Sequence, residues 1–444
     1  MRKVFAKFII NYLRVIAKLK LRSINPIIIG VGGASGKTTL SNFIYLIFSK
    51  KYKVRQGKGK NSETGIPLDI LKLSTGSYKF LDWLRVVVQA PFRLFLDFDK
   101  YDVYVAEMGI DSPVEPKNMS YLLKIIKPQI AVLTNISYEH SEYFEPLAMD
   151  EDFKNVEEKI LNLTAQQEML LLTSVGESGT AVLNIDDDYI NSAKKEIQAK
   201  KITVSLKNDS ADFYINEIKN YVDKFDLHFI HEGEKYKLTI DNPLPVHFAY
   251  SFVSAIAVGK AGGIKISESI SILENDFYLP AGRMSFFKGV KDSIIVDSSY
   301  NNATLTPILD LLGFVKEIGN QRRRVGIIGD MRELGTMSKP LHEEVARKIL
   351  ETLDAVILIG PLSQKYILPI LRSNNFPVSS FLNFTSAKST ILEQVKPKNI
   401  VLVKGSQNTL FLERVVEMLL KDPKDKEKLC RRGEYWDRIR EKTL

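Results

Sequence analysis

One short segment of the sequence has the residue types and spacing of a phosphate-binding loop, GVGGASGKTTL at residues 30–40. A glycine-rich turn between a strand and a helix points several backbone N–H groups at one place, and the helix N-terminus adds partial positive charge. A lysine there reaches the β- and γ-phosphates of a nucleotide, and the next hydroxyl can hold Mg2+. The common pattern has glycine where this chain has Val31, but the compact form of residues 33–38 still provides the turn. The predicted phosphate-binding residues are Gly33, Ala34, Ser35, Gly36, Lys37, Thr38 and Thr39.

Polar residues follow two further apolar runs. The run YDVYVAEMG places Glu107 at the end of a predicted strand, and QIAVLTNISYEHSEYF places Asn135 and then His140 after the next one. A carboxylate at the carboxyl end of a parallel strand, beside a phosphate loop, is well placed for a metal. We therefore predict Glu107 and Thr38 as Mg2+ ligands. His140 is either a structural residue or a ligand, and the pattern alone leaves both interpretations open.

These residues need a parallel sheet to position them, and the sequence predicts one. Apolar strand candidates alternate with helical patterns, which is typical of an α/β domain with helices on both faces of the sheet. In the first half the candidates are residues 27–31, 103–106, 130–133 and 181–183. Between residues 201 and 241 shorter runs alternate polar with apolar, which suggests a small antiparallel insert in the same domain. A second alternation has strand candidates at residues 293–296, 325–328, 355–359 and 400–403.

The predicted organisation is a basic amphipathic helix at residues 1–25, a central ATP-binding domain with the phosphate loop at residues 26–278, and a Rossmann-like C-terminal α/β domain at residues 279–444. The first helix carries lysine and arginine without acidic residues from residue 2 to 22 and has apolar residues at helical spacing. Two interpretations remain open. The helix lies on an anionic membrane as a peripheral contact, or its apolar stripe docks on the domain that follows.

Composition narrows the class of protein. A chain of 444 residues is longer than one hydrophobic core usually organises, so we expect more than one domain. Its content of 45% hydrophobic and 26% charged residues is typical of a globular protein. The single cysteine, Cys430, excludes an internal disulfide and fits a reducing cytosol. We expect a cytoplasmic monomer. The net charge of +9 lies partly at the chain ends and has no recognisable nucleic-acid motif around it, so we expect no nucleic-acid partner.

Together these segments resemble the Mur ligase family, and within it the ligases that add D-alanyl-D-alanine to the muramyl tripeptide. The resemblance runs in the family's order from about residue 26 to residue 420. The segments that carry it are GASGKTT, GKNSETGIPL, VAEMG, LTNISYEHSEYF, AVLNIDDD, AGRM, IVDSSYNNA, GIIGDMRELG and LVKGSQNTLFLERVVEML.

The resemblance implies an ATP-dependent amide ligase of cell-wall (peptidoglycan) precursor synthesis, with muramyl-peptide and dipeptide substrates. A substrate carboxylate attacks the γ-phosphate of ATP, and an amine then displaces phosphate from the acyl phosphate. Lys37 neutralises charge in phosphoryl transfer, and Thr38 and Glu107 hold one Mg2+. By the same resemblance His140 holds a second Mg2+, and a lysine carbamylated by CO2 steadies that ion. Lys154 and Lys159 compete for this position, and NVEEKILNL favours Lys159.

The resemblance also assigns residues in the second domain. Arg283 of AGRM reaches the γ-phosphate, and Asp297 of IVDSSYNNA contacts the ribose, while Asn184 of the central domain belongs to the nucleotide site. The incoming dipeptide is expected to meet substrate-binding residues on several strands. These are Tyr300, Asn301, Asp330 and Lys404. Catalysis is then expected in a cleft that is completed when the two domains close.

Departures from the family's pattern keep other hypotheses open. The basic helix stands where the family has the domain that grips the UDP-sugar, and Gln407 stands where an arginine is common. One alternative is therefore a Mur-like ligase with an acceptor that lacks UDP, for example a glutamate-adding or polymer-forming enzyme. Another is a nucleotide-binding partner protein without catalysis, against which the retained Glu107 and His140 argue.

Overall fold

The structure is a computed structural model that describes residues 2–75, 80–138, 140–149, 155–221, 224–300, 305–319, 321–405 and 410–442. The chain forms two compact units. The first comprises residues 1–218, 226–240 and 248–277, and the second comprises residues 219–225, 241–247 and 278–444.

A nine-stranded sheet organises the first unit, in the order β2-β3-β1-β4-β5-β6-β7-β8-β9. The strands are β1 (Ile27–Gly32), β2 (Val54–Gln56), β3 (Val103–Glu107), β4 (Ile130–Leu133), β5 (Thr180–Asn184), β6 (Lys200–Ser205), β7 (Phe213–Asn220), β8 (Phe225–His231) and β9 (Glu234–Ile240). The accompanying helices are α1 (Arg2–Ile24), α2 (Lys37–Ser49), α3 (Gly65–Ile70), α4 (Phe80–Leu96), α5 (Met119–Ile125), α6 (Glu145–Ala148), α7 (Val156–Thr173), α8 (Asp188–Ser192), α9 (His247–Ala261) and α10 (Ile266–Asp276).

Strand β1 lies inside the parallel part of the sheet, between β3 and β4. Its register pairs Val31 with Glu107 on β3, so the carboxylate stands beside the start of the phosphate loop. The strands here are continuous apolar runs because both faces of the sheet are covered. All four strand predictions for the first half of the chain are confirmed.

The strands at residues 200–240 correct one prediction. A small antiparallel insert was predicted in the same domain; the strands do belong to that domain, but they extend its nine-stranded sheet at one end, and β6 pairs with β7 in parallel. The chain reverses between β8 and β9 through Glu232 and Gly233, whose φ angles of 51° and 80° are those of a tight hairpin turn. Polar and apolar residues alternate there because one face of this end of the sheet is partly open to water.

Helix α1 docks on the first unit through its apolar stripe. Ile9, Leu13, Ile16 and Leu21 are buried, and the helix packs against α3, α4 and α5. The predicted helix and its docking interpretation are confirmed for this face. No helix in the described part of the chain combines the length and the apolar character needed to cross a membrane.

The second unit has a six-stranded sheet in the order β10-β11-β15-β12-β13-β14, parallel except for β10. Its strands are β10 (Ser285–Lys288), β11 (Ile294–Ser298), β12 (Arg324–Gly329), β13 (Ala355–Ile359), β14 (Val378–Phe381) and β15 (Ile400–Lys404). Its helices are α11 (Leu305–Ile318), α12 (Ser338–Thr352), α13 (Pro361–Tyr366), α14 (Leu368–Ser373), α15 (Phe384–Gln394), α16 (Glu413–Leu419) and α17 (Glu434–Lys442). The α/β prediction is confirmed for both units, including the four strands predicted for the second.

Candidate active site

The loop between β1 and α2 turns sharply at two glycines. Gly33 and Gly36 have φ angles of 108° and 81°, in the left-handed region that other residues rarely adopt. A Cβ atom on Gly33 would lie 2.2 Å from Oγ1 of Thr134, so this position also has no room for a side chain. The two glycines bring α2 to begin at Lys37, directly after the turn.

Asn135, which follows β4, anchors the first part of the loop. Its backbone carbonyl accepts a hydrogen bond from Ala34 N (2.9 Å), and its side-chain Oδ1 accepts from Ser35 N (3.0 Å) and Ser35 Oγ (3.2 Å). The loop is therefore held in shape by the neighbouring strand before any ligand binds.

Glu168 completes the anchoring, and sequence reasoning missed it. Its Oε2 atom accepts a hydrogen bond from Gly33 N (3.0 Å), and the side chain is buried on α7. A signal for it exists in LTAQQEMLLLT: Glu168 stands among buried Thr164, Leu171 and Leu172 at helical spacing. A charged residue on the inner face of a helix usually has a specific partner.

These contacts divide the predicted phosphate-binding residues into two groups. The N–H groups of Gly33, Ala34 and Ser35 are used within the protein, as described above. Those of Gly36, Thr38 and Thr39 make no hydrogen bond to any residue that the structure describes. The first N–H groups of a helix have no partner inside the helix, so the start of α2 is the part of the loop that can hold a phosphate.

We expect Glu168→Ala to weaken nucleotide binding by destabilising the loop. Loss of the acceptor leaves Gly33 N buried without a partner, and a hydrogen bond to a charged group contributes about 1.5–3 kcal/mol. ADP titration by calorimetry should show a Kd increase of roughly tenfold or more. Glu168→Gln keeps an acceptor oxygen and should stay within a few-fold of the parent chain. Equal affinities for all three proteins would contradict a role in shaping the loop.

Lys37 and Thr38 lie at the start of α2 as predicted. The ammonium of Lys37 folds back on the loop and donates to the carbonyls of Gly33 (2.5 Å) and Ala34 (2.9 Å). The Thr38 hydroxyl donates to the Glu107 carboxylate, with distances of 2.9 and 3.1 Å to its two oxygens. The structure thus brings together the hydroxyl and the carboxylate that were predicted to share a metal.

His140 and Lys159 do not take part in the contact between Thr38 and Glu107. The ring Nε2 of His140 is 3.7 Å from Oδ1 of Asp111. Lys159 lies in the first turn of α7, on the side of that helix opposite Glu168 and roughly 13 Å from it along the axis. Lys154 lies outside the described residues. No cluster of three His, Cys, Asp or Glu side chains suited to a metal occurs in the described ranges, so the second Mg2+ site stays a prediction.

Asn184 ends β5 and links two strand ends. Its Nδ2 donates to the Thr134 carbonyl (3.0 Å), and its Oδ1 accepts from Asp186 N (3.2 Å). Burial opposes the charge on Asp186, but hydrogen bonds from Ser205 and Tyr250 outweigh it and lower the pKa of this carboxyl. Asn184 therefore shapes the rim of the sheet next to the loop, and its predicted contact with the nucleotide stays a prediction.

In the second unit, Asp297 and Lys404 occupy the ends of neighbouring strands. The register pairs Asp297 on β11 with Val403 on β15, one residue before Lys404. Both side chains are fully buried. Burial raises the pKa of Asp297 to about 6, against the hydrogen bonds that Ser299 contributes. Burial lowers the pKa of Lys404 to about 7, and the positive charge of Arg283 acts in the same direction.

The raised pKa of Asp297 should make the second unit less stable as pH increases from about 4 to 6. The folded state holds this proton more tightly than the unfolded chain, whose aspartate pKa is about 3.9. The contribution is complete below pH 4 and is lost through pH 6, with a size of about 2–3 kcal/mol. Urea unfolding followed by Trp436 fluorescence, in a Trp83→Phe background, measures it. Asp297→Asn should lack this pH dependence, and an unchanged slope would contradict the assignment.

Arg283 and Tyr300 lie together in the second unit, and their predicted contacts with the γ-phosphate and the dipeptide stay predictions. The Arg283 guanidinium is 5.7 Å from the centre of the Tyr300 ring, and Arg431 lies 5.2 Å from the same ring. Sequence reasoning missed Arg431, which is buried and paired with Glu413. A buried arginine that stacks on an aromatic ring and pairs with a carboxylate fixes the position of that ring.

Asp330 follows β12 and caps α13. Its two carboxylate oxygens accept hydrogen bonds from Ser363 N (2.7 Å) and Leu362 N (3.2 Å). Both oxygens of this carboxylate thus accept hydrogen bonds at the start of α13, and the predicted contact of Asp330 with the dipeptide stays a prediction. Asn301 and Gln407 lie outside the described residues.

Comparison with known proteins agrees with this arrangement. Residues 31–259 match the Mur ligase middle domain, and residues 282–407 match the Mur ligase glutamate ligase domain. The chain belongs to the Mur ligase family. It is therefore an ATP-dependent ligase, as predicted. The matched boundaries leave α1 outside both family domains.

Relatives of this Mur ligase match most of the chain at low sequence identity, and the match covers about four fifths of each relative. The UDP-N-acetylmuramoyl-tripeptide--D-alanyl-D-alanine ligase of Borreliella burgdorferi is 24% identical over 419 residues, which are 92% of this chain and 78% of the relative. The ligase of the same name from Bacillus subtilis is 22% identical, over 93% of this chain and 79% of the relative.

Solved structures show the same fold. The MurF ligase of Thermotoga maritima, in complex with ADP, has a TM-score of 0.72 with 22% identity, over 94% of this chain and 84% of that one. MurF of Acinetobacter baumannii has a TM-score of 0.73 with 17% identity, over 91% and 79% of the two chains. The predicted fold class is confirmed by both.

Proposed function

We propose that this Mur ligase joins D-alanyl-D-alanine to a muramyl tripeptide and so completes the peptide of a peptidoglycan precursor. The observation that carries the proposal is the start of α2, where open N–H groups, Lys37 and the paired Thr38 and Glu107 meet. The choice of substrates rests on the names of the two bacterial relatives, whose matches cover most of this chain.

The reaction needs little covalent help from the protein. The terminal carboxylate of the tripeptide attacks the γ-phosphorus of ATP, giving an acyl phosphate and ADP. The dipeptide amine then attacks the acyl carbon, loses a proton, and inorganic phosphate leaves. Negative charge accumulates on the phosphoryl oxygens in the first step and on the acyl oxygen in the second. Positively charged groups fixed in advance stabilise such charge most effectively.

The residues at the start of α2 fit ATP and Mg2+. The open N–H groups of Gly36, Thr38 and Thr39 can donate hydrogen bonds to phosphate oxygens. The Lys37 ammonium, which donates to loop carbonyls in this structure, is close enough to donate to a phosphate instead. A single carboxylate with a hydroxyl is a sufficient protein contribution for Mg2+, which keeps several waters and binds phosphate oxygens as well. When bound, Mg2+ neutralises phosphate charge and polarises the transferred group. Thr38 and Glu107 would hold it.

The decisive experiment measures phosphate release by the purified chain with ATP and Mg2+, adding the two substrates separately and together. We expect release only with both UDP-N-acetylmuramoyl-tripeptide and D-alanyl-D-alanine, and a product whose mass is that of the joined peptide. Lys37→Ala is the matched inactive control. Nucleotide binding without stimulated turnover would overturn the substrate assignment, and an acceptor without UDP would then be sought.

The proposal includes a carbamylated lysine, for which Lys159 is the candidate and Lys154 the alternative. A carbamate carries the charge of a carboxylate and would stabilise a metal held by His140. We expect Lys159→Ala to lower kcat by roughly 100-fold or more, as loss of one electrostatic group at a phosphoryl-transfer site does, and Lys154→Ala to change it little. A carbamate signal in 13C NMR, after addition of labelled bicarbonate, should vanish only in the Lys159 variant. The reverse pattern would assign Lys154.

A further inference from the structure

Helix α4 carries an apolar stripe that faces solvent. Leu81, Leu84, Val88, Phe92 and Phe95 follow one another at intervals of three and four residues, which places them on one side of the helix. All five are exposed, with Leu81 74% and Phe95 70% accessible. The opposite side of the same helix packs inward through Val86 and Ala90. The exposed stripe is therefore the outer face of a helix that is already docked.

Helix α1 extends this apolar surface. The two helices pack together, and the Tyr12 hydroxyl donates to the Val87 carbonyl (3.0 Å). The side of α1 that does not dock exposes Phe8, Val15 and Leu19. We call these three residues and the α4 stripe the α1/α4 face. So many exposed apolar side chains on two packed helices are unusual for a surface that meets only water, and apolar surface of this kind marks interaction sites.

Positive charge borders the α1/α4 face. Lys7, Lys18 and Arg22 lie on one flank of the exposed side of α1, and Arg85 lies next to Phe92 around α4. None of the four forms an ion pair with a residue that the structure describes. The carboxylates of Asp97 and Asp99, just beyond α4, are instead paired with Lys72 and Lys53.

A basic cavity opens next to the face. Lys18, Arg22 and Lys127 line it, together with Asn25 and Gln129, and its volume is about 230 Å³. The rest of the lining is apolar, and the three basic side chains suit an anionic headgroup such as a phosphate ester. Exposed apolar side chains and a basic cavity thus lie near each other in the first unit.

We propose that the α1/α4 face lies on the surface of an anionic lipid bilayer, with both helices parallel to the membrane plane. Phenylalanine and leucine side chains enter the boundary between headgroups and acyl chains, while a basic rim is attracted to anionic lipids. A second copy of the chain fits less well because a two-fold pair would bring the same positive rims together. The proposal is independent of the reaction that the ligase catalyses.

Flotation of the full chain with vesicles tests this proposal. We expect binding to vesicles of phosphatidylcholine with a quarter phosphatidylglycerol, weaker binding at high salt, and little binding to phosphatidylcholine alone. Lys18→Gln with Arg22→Gln should lower the partition coefficient by roughly 30-fold, since each basic residue near an anionic surface contributes about fivefold. Phe92→Ser with Phe95→Ser should lower it by roughly tenfold or more.

Matched controls use exposed residues that do not belong to the face. Lys235→Gln with Lys396→Gln removes two lysines elsewhere, and Leu382→Ser removes an exposed apolar residue of the second unit. These variants should bind vesicles like the parent chain, and circular dichroism should show that all variants are folded. Absence of binding, or equal loss in the controls, would overturn the proposal. Self-association that Phe92→Ser with Phe95→Ser abolishes, without vesicle binding, would overturn it in favour of a second copy.

Discussion

Replacing Lys37 by alanine should lower kcat by roughly 10²- to 10³-fold, the usual cost of removing one preorganised group that stabilises transition-state charge. The structure gives a specific reason. The ammonium lies at the first residue of α2 and binds two carbonyls of the loop, at 2.5 and 2.9 Å. It is therefore desolvated, positively charged and already next to the N–H groups that are open to a phosphate. Its partial burial makes its charge more effective than that of a lysine in water.

Phosphate release and ADP binding should respond differently to this change. We expect ADP affinity to fall less than kcat, because charge on the transferred phosphoryl group develops only during the reaction. Lys50→Ala, at the exposed far end of the same helix, is the matched control and should leave both unchanged. A Lys37→Ala protein with normal turnover would contradict the assignment of this loop as the catalytic centre.

The parts of the site that the sequence predicted are those built from neighbouring residues. The strand, the glycine turn and Lys37 lie within about ten residues of one another, so local rules of geometry apply to them. Glu107 was also predicted, because parallel strands end at a common edge and its position at a strand end is visible in the sequence.

The contacts that sequence reasoning missed are long-range. Glu168 is 135 residues from Gly33, and Arg431 is 132 residues from the Ser299 carbonyl that it approaches. A charged residue on the buried face of a helix shows that a partner exists but not which one. The choice depends on how α7 packs on β1 and β4, and side-chain packing of this kind has no signature in a single sequence.

The surroundings of the first helix were also not predictable from the sequence alone. Its charge and apolar spacing predicted an amphipathic helix but left open whether the apolar stripe meets protein or lipid. In the structure, Leu13 and Ile16 dock on the domain, while Phe8 and Val15 remain exposed beside α4. An apolar surface wider than one stripe is shared between two helices that are about 60 residues apart in sequence, so only the folded arrangement reveals it.

Replacing Arg431 by methionine should destabilise the second unit by about 3 kcal/mol, because it leaves the buried Glu413 carboxylate with only the more distant Arg440, at 3.9 Å, as counter-charge. Both side chains are almost completely inaccessible, and two guanidinium nitrogens of Arg431 bind the two oxygens of Glu413. Burial already raises the pKa of Glu413, and the charge of Arg431 opposes that shift. Loss of Arg431 should therefore raise this pKa further, and the variant's deficit should be smaller at pH 5 than at pH 8.

A double variant distinguishes the effect of the ion pair's charges from the effect of its packing volume. Arg431→Met together with Glu413→Leu removes both charges, and a buried pair replaced by apolar residues of similar volume is often as stable as the original. We expect the double variant to recover most of the stability that the single variant loses. Urea unfolding followed by Trp436, whose ring lies 6.4 Å from that of Phe411, reports on this part of the second unit. Equal losses for the single and double variants would mean that the aromatic contacts of Arg431 with Tyr300 and Phe411, rather than its charge, stabilise the unit.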